Sequence, residues 1–293
     1  MITNEHFLDF VYIGAPRAGS TWLAAALSEH PQIWIPHNKE LHFFNRYSLY
    51  PTYFSYPKGI DYYRQYFVKA PENALLGDIS PLYYFDSDTA QRIVRHFPEV
   101  KIIALLRNPA DVAFSVYLKR KTQEFRKPTF EQELKRDKRF IDLGYYFRQL
   151  KPYFDYFPRE NIGIWIYEHF FDNQEESIKN VYHFLGVDYR FVPGVIGKKI
   201  NAAKDPGPKI KIALNGLAIL LLNTPVLFPI KNMLHKLKIN KTNYSVSPGQ
   251  RKPPKERLSE ETRRYLMKNY EPDISHLEKL LNIDLGIWRA KLR

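Results

Sequence analysis

The 293-residue sequence contains no cysteine, and this absence removes several kinds of chemistry at once. Disulfide bonds, zinc sites with cysteine ligands and cysteine nucleophiles are all excluded. The amino-terminal end also lacks a basic segment followed by an apolar one, because residues 1–9 carry acidic side chains. We therefore expect no signal peptide, and we expect a cytoplasmic protein.

Acidic residues are scarce relative to basic ones, with 31 Asp and Glu against 44 Lys and Arg, and the formal net charge is +13. Nucleic acid, an anionic membrane surface and a small polyanionic ligand are the partners that such a charge suits, although a solvated basic surface also accounts for many lysines. The sequence has no RNA-binding or helix-turn-helix signature, so we expect no nucleic-acid partner.

No apolar run is long and uninterrupted enough to predict a membrane-spanning helix. The run at 210–230 comes nearest, but two prolines and two asparagines break it, whereas a span needs about 20 predominantly apolar residues. A lysine-rich stretch follows it directly. The segment 210–241 therefore has two interpretations: a helical hairpin packed on the domain, or a peripheral contact at a membrane interface.

Short apolar strands alternate with predicted helices through most of the chain. We predict strands at 10–13, 33–35, 75–77, 101–106 and 162–167. We predict helices at 20–28, 90–97, 111–120, 130–134, 145–156 and 259–281. This alternation implies βαβ units, so we expect an α/β fold in which a P-loop-like parallel sheet carries helices on both faces. We expect a single domain over 1–293, with 191–244 as a variable apolar and basic insertion.

The strongest local signal is the stretch Gly-Ala-Pro-Arg-Ala-Gly-Ser-Thr at 14–21, which joins a predicted strand to a predicted helix. Glycines let the backbone wrap around phosphate oxygens, and a helix N-terminus offers free N–H groups. The spacing resembles a P-loop, but Ser20 stands where a P-loop has its lysine. Arg17 is the loop's only cation, so a donor that needs no metal fits better than a Mg-nucleotide. An ordinary strand–turn–helix is the alternative.

A second candidate anion anchor follows the strand predicted at 101–106. Arg107 stands at its carboxyl end, where open α/β sheets bind ligands and where a Mg-nucleotide site would carry an aspartate. Ser115 lies about two helical turns further on. An arginine and a serine that converge on one phosphate would form an anion clamp. The alternative is that Arg107 pairs with a surface carboxylate.

Taken together, these segments resemble the sulfotransferases that use 3′-phosphoadenosine 5′-phosphosulfate (PAPS), in particular the bacterial and heparan-type glycan branch. The matching segments are Pro-Arg-Ala-Gly-Ser-Thr-Trp-Leu at 16–23, Lys-Glu-Leu-His-Phe-Phe at 39–44, Gly-Asp-Ile-Ser-Pro-Leu-Tyr at 77–83, Arg-Asn-Pro with a later serine at 107–115, and Gly-Gln-Arg-Lys at 249–252. The resemblance covers about residues 10–190 and 245–288 and implies the sulfotransferase fold.

The resemblance implies PAPS as the donor, 3′-phosphoadenosine 5′-phosphate (PAP) as a product, and no required metal. It implies donor-binding roles for Arg17, Ala18, Gly19, Ser20, Thr21, Trp22, Arg107, Ser115, Arg251 and Lys252. It implies Glu40 as the general base, assisted by His42 and Arg17; the alternative is that Glu40 forms a surface salt bridge with Lys39. We expect an extended segment around Glu40, on which His42, two residues further along, faces the same side. Trp22 would stack on adenine or belong to the core.

Two positions depart from the heparan-type pattern, because Arg17 and Ile79 stand where many members carry lysine. The second departure removes a contact to the acceptor or the transition state, so a heparan-like acceptor is not implied. We expect transfer to a hydroxyl or amine of a saccharide or lipid-like acceptor. Aromatic residues line the acceptor site or fill the core, namely Phe43, Phe44, Tyr83, Tyr145 and Tyr146.

Two other functions stay open at this point. A P-loop kinase of a small molecule would require Mg²⁺ and ATP, which the missing loop lysine disfavours. A non-enzymatic basic module would bind a membrane or a polyanion through 210–241.

Overall fold

The computed structural model describes residues 7–37, 39–46, 54–122, 128–198, 200 and 256–290. The chain divides into two compact units, one made of 1–118, 128–202 and 258–293, the other of 119–127 and 203–257. The first unit contains the sheet and every described residue of the candidate site. Most of the second unit, including the whole of 210–241, lies outside the described residues.

The first unit is built on a parallel sheet of five strands. The strands are β1 Phe10–Gly14, β2 Ile33–Trp34, β3 Leu75–Ile79, β4 Lys101–Leu106 and β5 Ile162–Ile166. Their order across the sheet is β2-β3-β1-β4-β5. All five residues of β1 are buried, as expected for a central strand that helices cover on both faces.

Helices connect the strands and cover the sheet. They are α1 Ser20–Glu29, α2 Ile60–Arg64, α3 Thr89–His96, α4 Pro109–Lys121, α5 Phe130–Arg136, α6 Arg139–Asp142, α7 Tyr146–Tyr156, α8 Tyr167–Asp172, α9 Gln174–Leu185, α10 Glu260–Leu281 and α11 Gly286–Ala290. Side chains cap several of them; Thr129 and Gln132 form a capping box at α5, and Ser259 caps α10. The predicted α/β fold is confirmed. Among the described helices, none is long and apolar enough to cross a membrane.

Four of the five aromatic residues that were candidates for the acceptor site belong to the core. Phe43, Phe44, Tyr83 and Tyr146 are at most 1% exposed, so they do not line an open acceptor site; Tyr145 is partly buried. Buried tyrosines keep their hydroxyls satisfied by donating to backbone carbonyls, as Tyr153 does to Tyr83 O at 3.0 Å. This use of the hydroxyl lets a core absorb more tyrosine than hydropathy alone predicts.

Strands β1 and β4 are neighbours and run in parallel, with Phe10 beside Lys101 at their amino ends. Their carboxyl ends therefore meet at the same edge of the sheet, where open α/β sheets bind ligands. The loop after β1 and the segment after β4 are the two candidate anion anchors. The topology thus brings together two stretches that are far apart in sequence.

Candidate active site

The loop after β1 is fastened to its neighbours by backbone and side-chain hydrogen bonds. The Ala15 N–H donates to Leu105 O on β4 at 2.8 Å, and the Tyr12 hydroxyl donates to Ala15 O at 3.1 Å. Gly19 closes the loop with φ 89°, and a Cβ there would lie 2.6 Å from the Phe171 ring. Only glycine meets both conditions, so the loop's path is tied to this residue.

The N-terminus of α1 carries no competing anion. Gly19 precedes the helix without a side-chain cap, and the first turn contains no acidic residue. The N–H groups of that turn therefore keep their hydrogen-bonding capacity for a ligand, and the helix dipole favours an anion there. Ala18 and Ser20 are buried, so these two predicted donor-binding residues would contribute backbone rather than exposed side chains.

Arg17, Arg107 and Ser115 converge at the edge of the sheet. Arg107 Nη1 donates to Arg17 O at 3.1 Å. Arg17 Nε donates to Ser115 Oγ at 3.1 Å, across 98 positions of sequence. Arg107 also lies over the Tyr167 ring, with Cζ 4.7 Å from the centroid, and its buried Nε has no partner among the described residues. The two predicted anchors therefore form one cationic cluster with an unused donor.

A network that the sequence did not reveal holds the backbone beside Arg107. The Tyr146 hydroxyl donates to Arg107 O at 2.7 Å. Asn108 donates through Nδ2 to Trp288 O at 3.0 Å, and its own N–H donates to Glu168 at 3.1 Å. Trp288 Nε1 closes the network by donating to Glu168 at 3.0 Å. Helix α11 at the carboxyl end thus positions the second anchor, and no local motif around Asn108 identifies that partner.

The segment that carries Glu40 and His42 is not extended, so that prediction is wrong. Glu40 has φ 66° and His42 has φ 48°, both in the left-handed region that costs a side-chain-bearing residue about 1–3 kcal/mol. The two side chains nevertheless approach each other, with His42 Nε2 at 3.9 Å from Glu40 Oε2. Two non-glycine residues with positive φ, two positions apart, indicate a backbone held in place by its surroundings.

A buried carboxylate supplies that restraint. Asp78 is fully buried and accepts hydrogen bonds from the hydroxyls of Tyr63, Ser80 and Tyr83 at 2.7–2.8 Å. The Ser80 and Tyr83 oxygens in turn accept from the backbone N–H groups of the next segment. Those donors are His42 N at 3.2 Å and Phe43 N at 3.0 Å. Burial raises the pKa of Asp78, while the three hydroxyls stabilise its charged form.

Lys39 belongs to the site, although the sequence indicated only an ion pair with its neighbour. Its ammonium donates to Thr21 Oγ1 at 3.0 Å and to Glu40 Oε1 at 3.2 Å. His42 and Lys39 lower the pKa of Glu40 to about 2, with His42 the larger cause and burial opposing both.

The 3.9 Å approach of His42 to Glu40 is longer than a hydrogen bond, so its effect on the carboxylate is electrostatic. The Glu40 side chain is 44% exposed, so solvent screens its interactions with both neighbours.

Other predicted residues lie further from this centre. Trp22 is 3% exposed and packs edge-on against Phe170 and Phe171, with ring centroids 5.7 and 5.5 Å away. This packing favours the core role of Trp22 over stacking on adenine. Arg251 and Lys252 lie outside the described residues.

A groove of about 440 Å³ opens beside Lys39. One wall is the face of α1 that continues from Thr21 through Ala24, Ala25 and Ser28, at helical spacing. The opposite wall is mainly apolar and runs from Ile33 to Lys39. The described part of the chain contains no cluster of three or more His, Asp or Glu side chains that could hold a metal ion.

Comparison with known proteins identifies a family. A family model described as the sulfotransferase domain matches residues 8–201 of this chain. The crystal structure of a sulfotransferase from Alicyclobacillus acidocaldarius superposes with a TM-score of 0.68 at 25% identity, covering 96% of this chain and 98% of that one.

Several curated proteins are also similar. The membrane-associated sulfotransferase kil1 of Dictyostelium discoideum is 32% identical over 112 residues, which are 37% of this chain and 22% of that protein. The mouse bifunctional heparan sulfate N-deacetylase/N-sulfotransferase 3 is 29% identical over 63% of this chain and 23% of its own length. The mouse heparan sulfate glucosamine 3-O-sulfotransferase 3A1 is 25% identical over 60% and 45%. The chain therefore spans less than half the length of each of these three relatives.

Proposed function

The chain belongs to the sulfotransferase domain family, and on that premise we propose that it transfers a sulfuryl group from PAPS to a hydroxyl or amine of an acceptor. The observation that carries the proposal is the meeting of Arg17, Arg107 and Ser115 beside the uncapped N-terminus of α1. Two anion anchors side by side suit a donor that carries charged groups at the 5′ and 3′ positions of its adenosine.

The residues present fit such a donor. The first-turn N–H groups of α1 and the loop backbone would hold the 5′-phosphosulfate. Arg107, whose buried Nε has no partner in the described part of the chain, and Ser115 would hold the 3′-phosphate. Arg17 bridges the two groups of residues. PAPS, when bound, supplies the sulfuryl group on a phosphate leaving group, and Ser20 stands at the place of the P-loop lysine.

In the proposed step Glu40 takes the proton of the acceptor while the acceptor oxygen or nitrogen attacks sulfur. The bond between sulfur and the bridging oxygen of the 5′-phosphate breaks, and its electron pair stays on that oxygen as PAP leaves. Most of the acceleration then comes from positioning and from stabilising charge, since little covalent help is needed. His42 would hydrogen-bond the acceptor or the sulfuryl oxygens.

We propose that the acceptor lies in the groove beside Lys39, because that groove borders the lysine that contacts Glu40. Its mainly apolar walls suit a sugar face or a lipid-like chain better than a polyanion. Ile79 is 1% exposed and so contacts no acceptor, which is consistent with an acceptor unlike heparan.

Calorimetric titration of the full chain with PAP, ADP and Mg-ATP tests the donor. We expect binding of PAP at micromolar or lower Kd, and binding of ADP and Mg-ATP at least tenfold weaker, because only PAP offers a 3′-phosphate to the cluster around Arg107. Tighter binding of Mg-ATP than of PAP would favour the kinase alternative, and no binding of any of the three would favour a non-enzymatic module.

A further inference from the structure

Lys39 occupies the space between the two halves of the site. Its ammonium contacts Thr21, in the first turn of α1, and Glu40, the proposed base, at 3.0 and 3.2 Å. A lysine ammonium has three donor protons, and these described contacts use two of them. The side chain is 30% exposed, so a ligand oxygen can reach it. A sulfuryl group that moves from the helix N-terminus toward Glu40 would therefore pass the Lys39 ammonium.

The loop's own cation is directed elsewhere. Arg17 turns its Nε toward Ser115, on the side of the second anchor, and not toward Glu40. Ser20 fills the position at which a P-loop would present a lysine to the phosphates, and it is 8% exposed. The predicted role of Arg17 in stabilising charge at the reacting end thus lacks a described contact to support it, whereas Lys39 has two.

We propose that Lys39 is a catalytic residue that donates to the oxygens of the sulfuryl group during transfer. This inference rests on the proposed function and adds a residue to it. Lys39, in the segment after β2, supplies a positive charge near Glu40, where the loop's own cation, Arg17, is not directed. A cation already positioned where negative charge grows stabilises the transition state without a reorganisation cost. Arg17 is then assigned to the 3′-phosphate end of the donor.

The same ammonium also couples donor binding to the base. Lys39 is one of the two residues that lower the pKa of Glu40. When it turns toward an anionic sulfuryl group, its attraction for the carboxylate weakens and the pKa of Glu40 rises. Glu40 is then a stronger base when the donor is bound, because proton transfer improves as the pKa of the base approaches the working pH.

Binding measurements with a matched control variant test the inference. Lys179 is the control, because its side chain is 31% exposed and paired with Glu175, far along the chain on α9. Lys39→Gln and Lys179→Gln are each titrated with PAP and, without acceptor, with PAPS. We expect Lys39→Gln to weaken PAPS binding by about ten- to a hundredfold, the range for losing a charged hydrogen bond, and PAP binding by much less. Lys179→Gln should change neither, and Lys39→Arg should recover part of the loss.

The pH profile of turnover gives a second reading. Lys39, His42 and Tyr12 are the titratable groups that face Glu40. Removing Lys39 removes a cation that favours the ionised carboxylate, so the pKa of Glu40 rises. The acid-side loss of activity should then begin at a higher pH in Lys39→Gln than in the unsubstituted protein.

Equal PAPS affinity in Lys39→Gln and Lys179→Gln, with the unsubstituted protein binding PAP, overturns the role of Lys39 and leaves the proposed function standing. Equal losses for PAP and PAPS in Lys39→Gln would reduce Lys39 to a general anion contact and overturn it as well. If the unsubstituted protein binds neither nucleotide, the proposed function and the inference both fail.

Discussion

The proposed role of Glu40 requires its carboxylate to accept a proton, although His42 and Lys39 favour its ionised form. We predict that Glu40→Gln lowers kcat by about 10²- to 10⁴-fold, the usual contribution of a general base. PAP affinity should stay within about twofold, because the described contacts of the loop and of Arg107 do not involve this side chain. Turnover of the variant is followed with PAPS and any accepted substrate, and PAP binding by calorimetry.

Glu29 gives a control of the same type on α1, since its carboxylate accepts from the Gly194 backbone away from the site. Glu29→Gln should leave kcat unchanged. Near-normal turnover by Glu40→Gln would remove Glu40 as the base.

At the scale of single residues, sequence reasoning predicted roles for Arg17, Glu40, His42, Arg107 and Ser115. In the structure Arg17 contacts Arg107 and Ser115, and Glu40 lies beside His42. Sequence reasoning did not find Lys39. In sequence Lys39 simply adjoins Glu40, and an adjacent pair of opposite charges is usually a surface ion pair. Its contact with Thr21 depends on how the chain turns after β2, and no residue pattern encodes that turn.

Trp22 is a residue for which the sequence suggested a ligand contact but the structure shows packing in the core. Its position directly after the phosphate loop suggested a ligand contact, but Phe170 and Phe171 on α8 take up its ring. The packing of Trp22 on a short helix later in the chain favours its core role over stacking on adenine.

At the scale of elements, the five strands were predictable because each is a short, β-rich apolar run that ends at a polar residue or a turn. Helices of four to six residues were not: α6 is too short to show a helical period, and α8 begins at Tyr167, directly after β5 ends at Ile166. The conformation of the segment around Glu40 was also missed, because hydrogen bonds from β3 and the turn after it impose it.

At the scale of elements, Asp78 holds in place the segment that carries Glu40 and His42, the proposed catalytic residues. We predict that Asp78→Asn destabilises the fold by about 1–3 kcal/mol, because an amide cannot accept from all three hydroxyls that donate to the carboxylate. We also predict a fall in kcat of at least tenfold with little change in PAP affinity, because Ser80 and Tyr83 would hold His42 and Phe43 less firmly.

Asp9 is the control for Asp78, since it accepts from the Leu76 N–H at 2.7 Å on the same strand, towards its amino end. Asp9→Asn should lower the melting temperature without changing kcat. If both variants lose only stability, Asp78 has a structural role and no part in positioning the site.

At the scale of the whole molecule, the decisive feature is that β1 and β4 lie side by side and end at the same edge. Sequence reasoning could predict that both anion anchors follow strands of one parallel sheet. It could not predict which strands are neighbours, because long-range pairing depends on how the connecting helices pack. The contact of Arg17 with Ser115 is the direct result of that pairing.

The central claim is that one nucleotide is held at both of its ends by these two anchors, and a crystal structure of the protein with PAP tests it most directly. We expect the 5′-phosphate at the loop spanning Gly14 to Gly19 and the first turn of α1, and the 3′-phosphate within hydrogen-bond distance of Arg107 and Ser115. PAP bound elsewhere on the surface, or with its 3′-phosphate pointing away from Arg107 into solvent, would contradict the account.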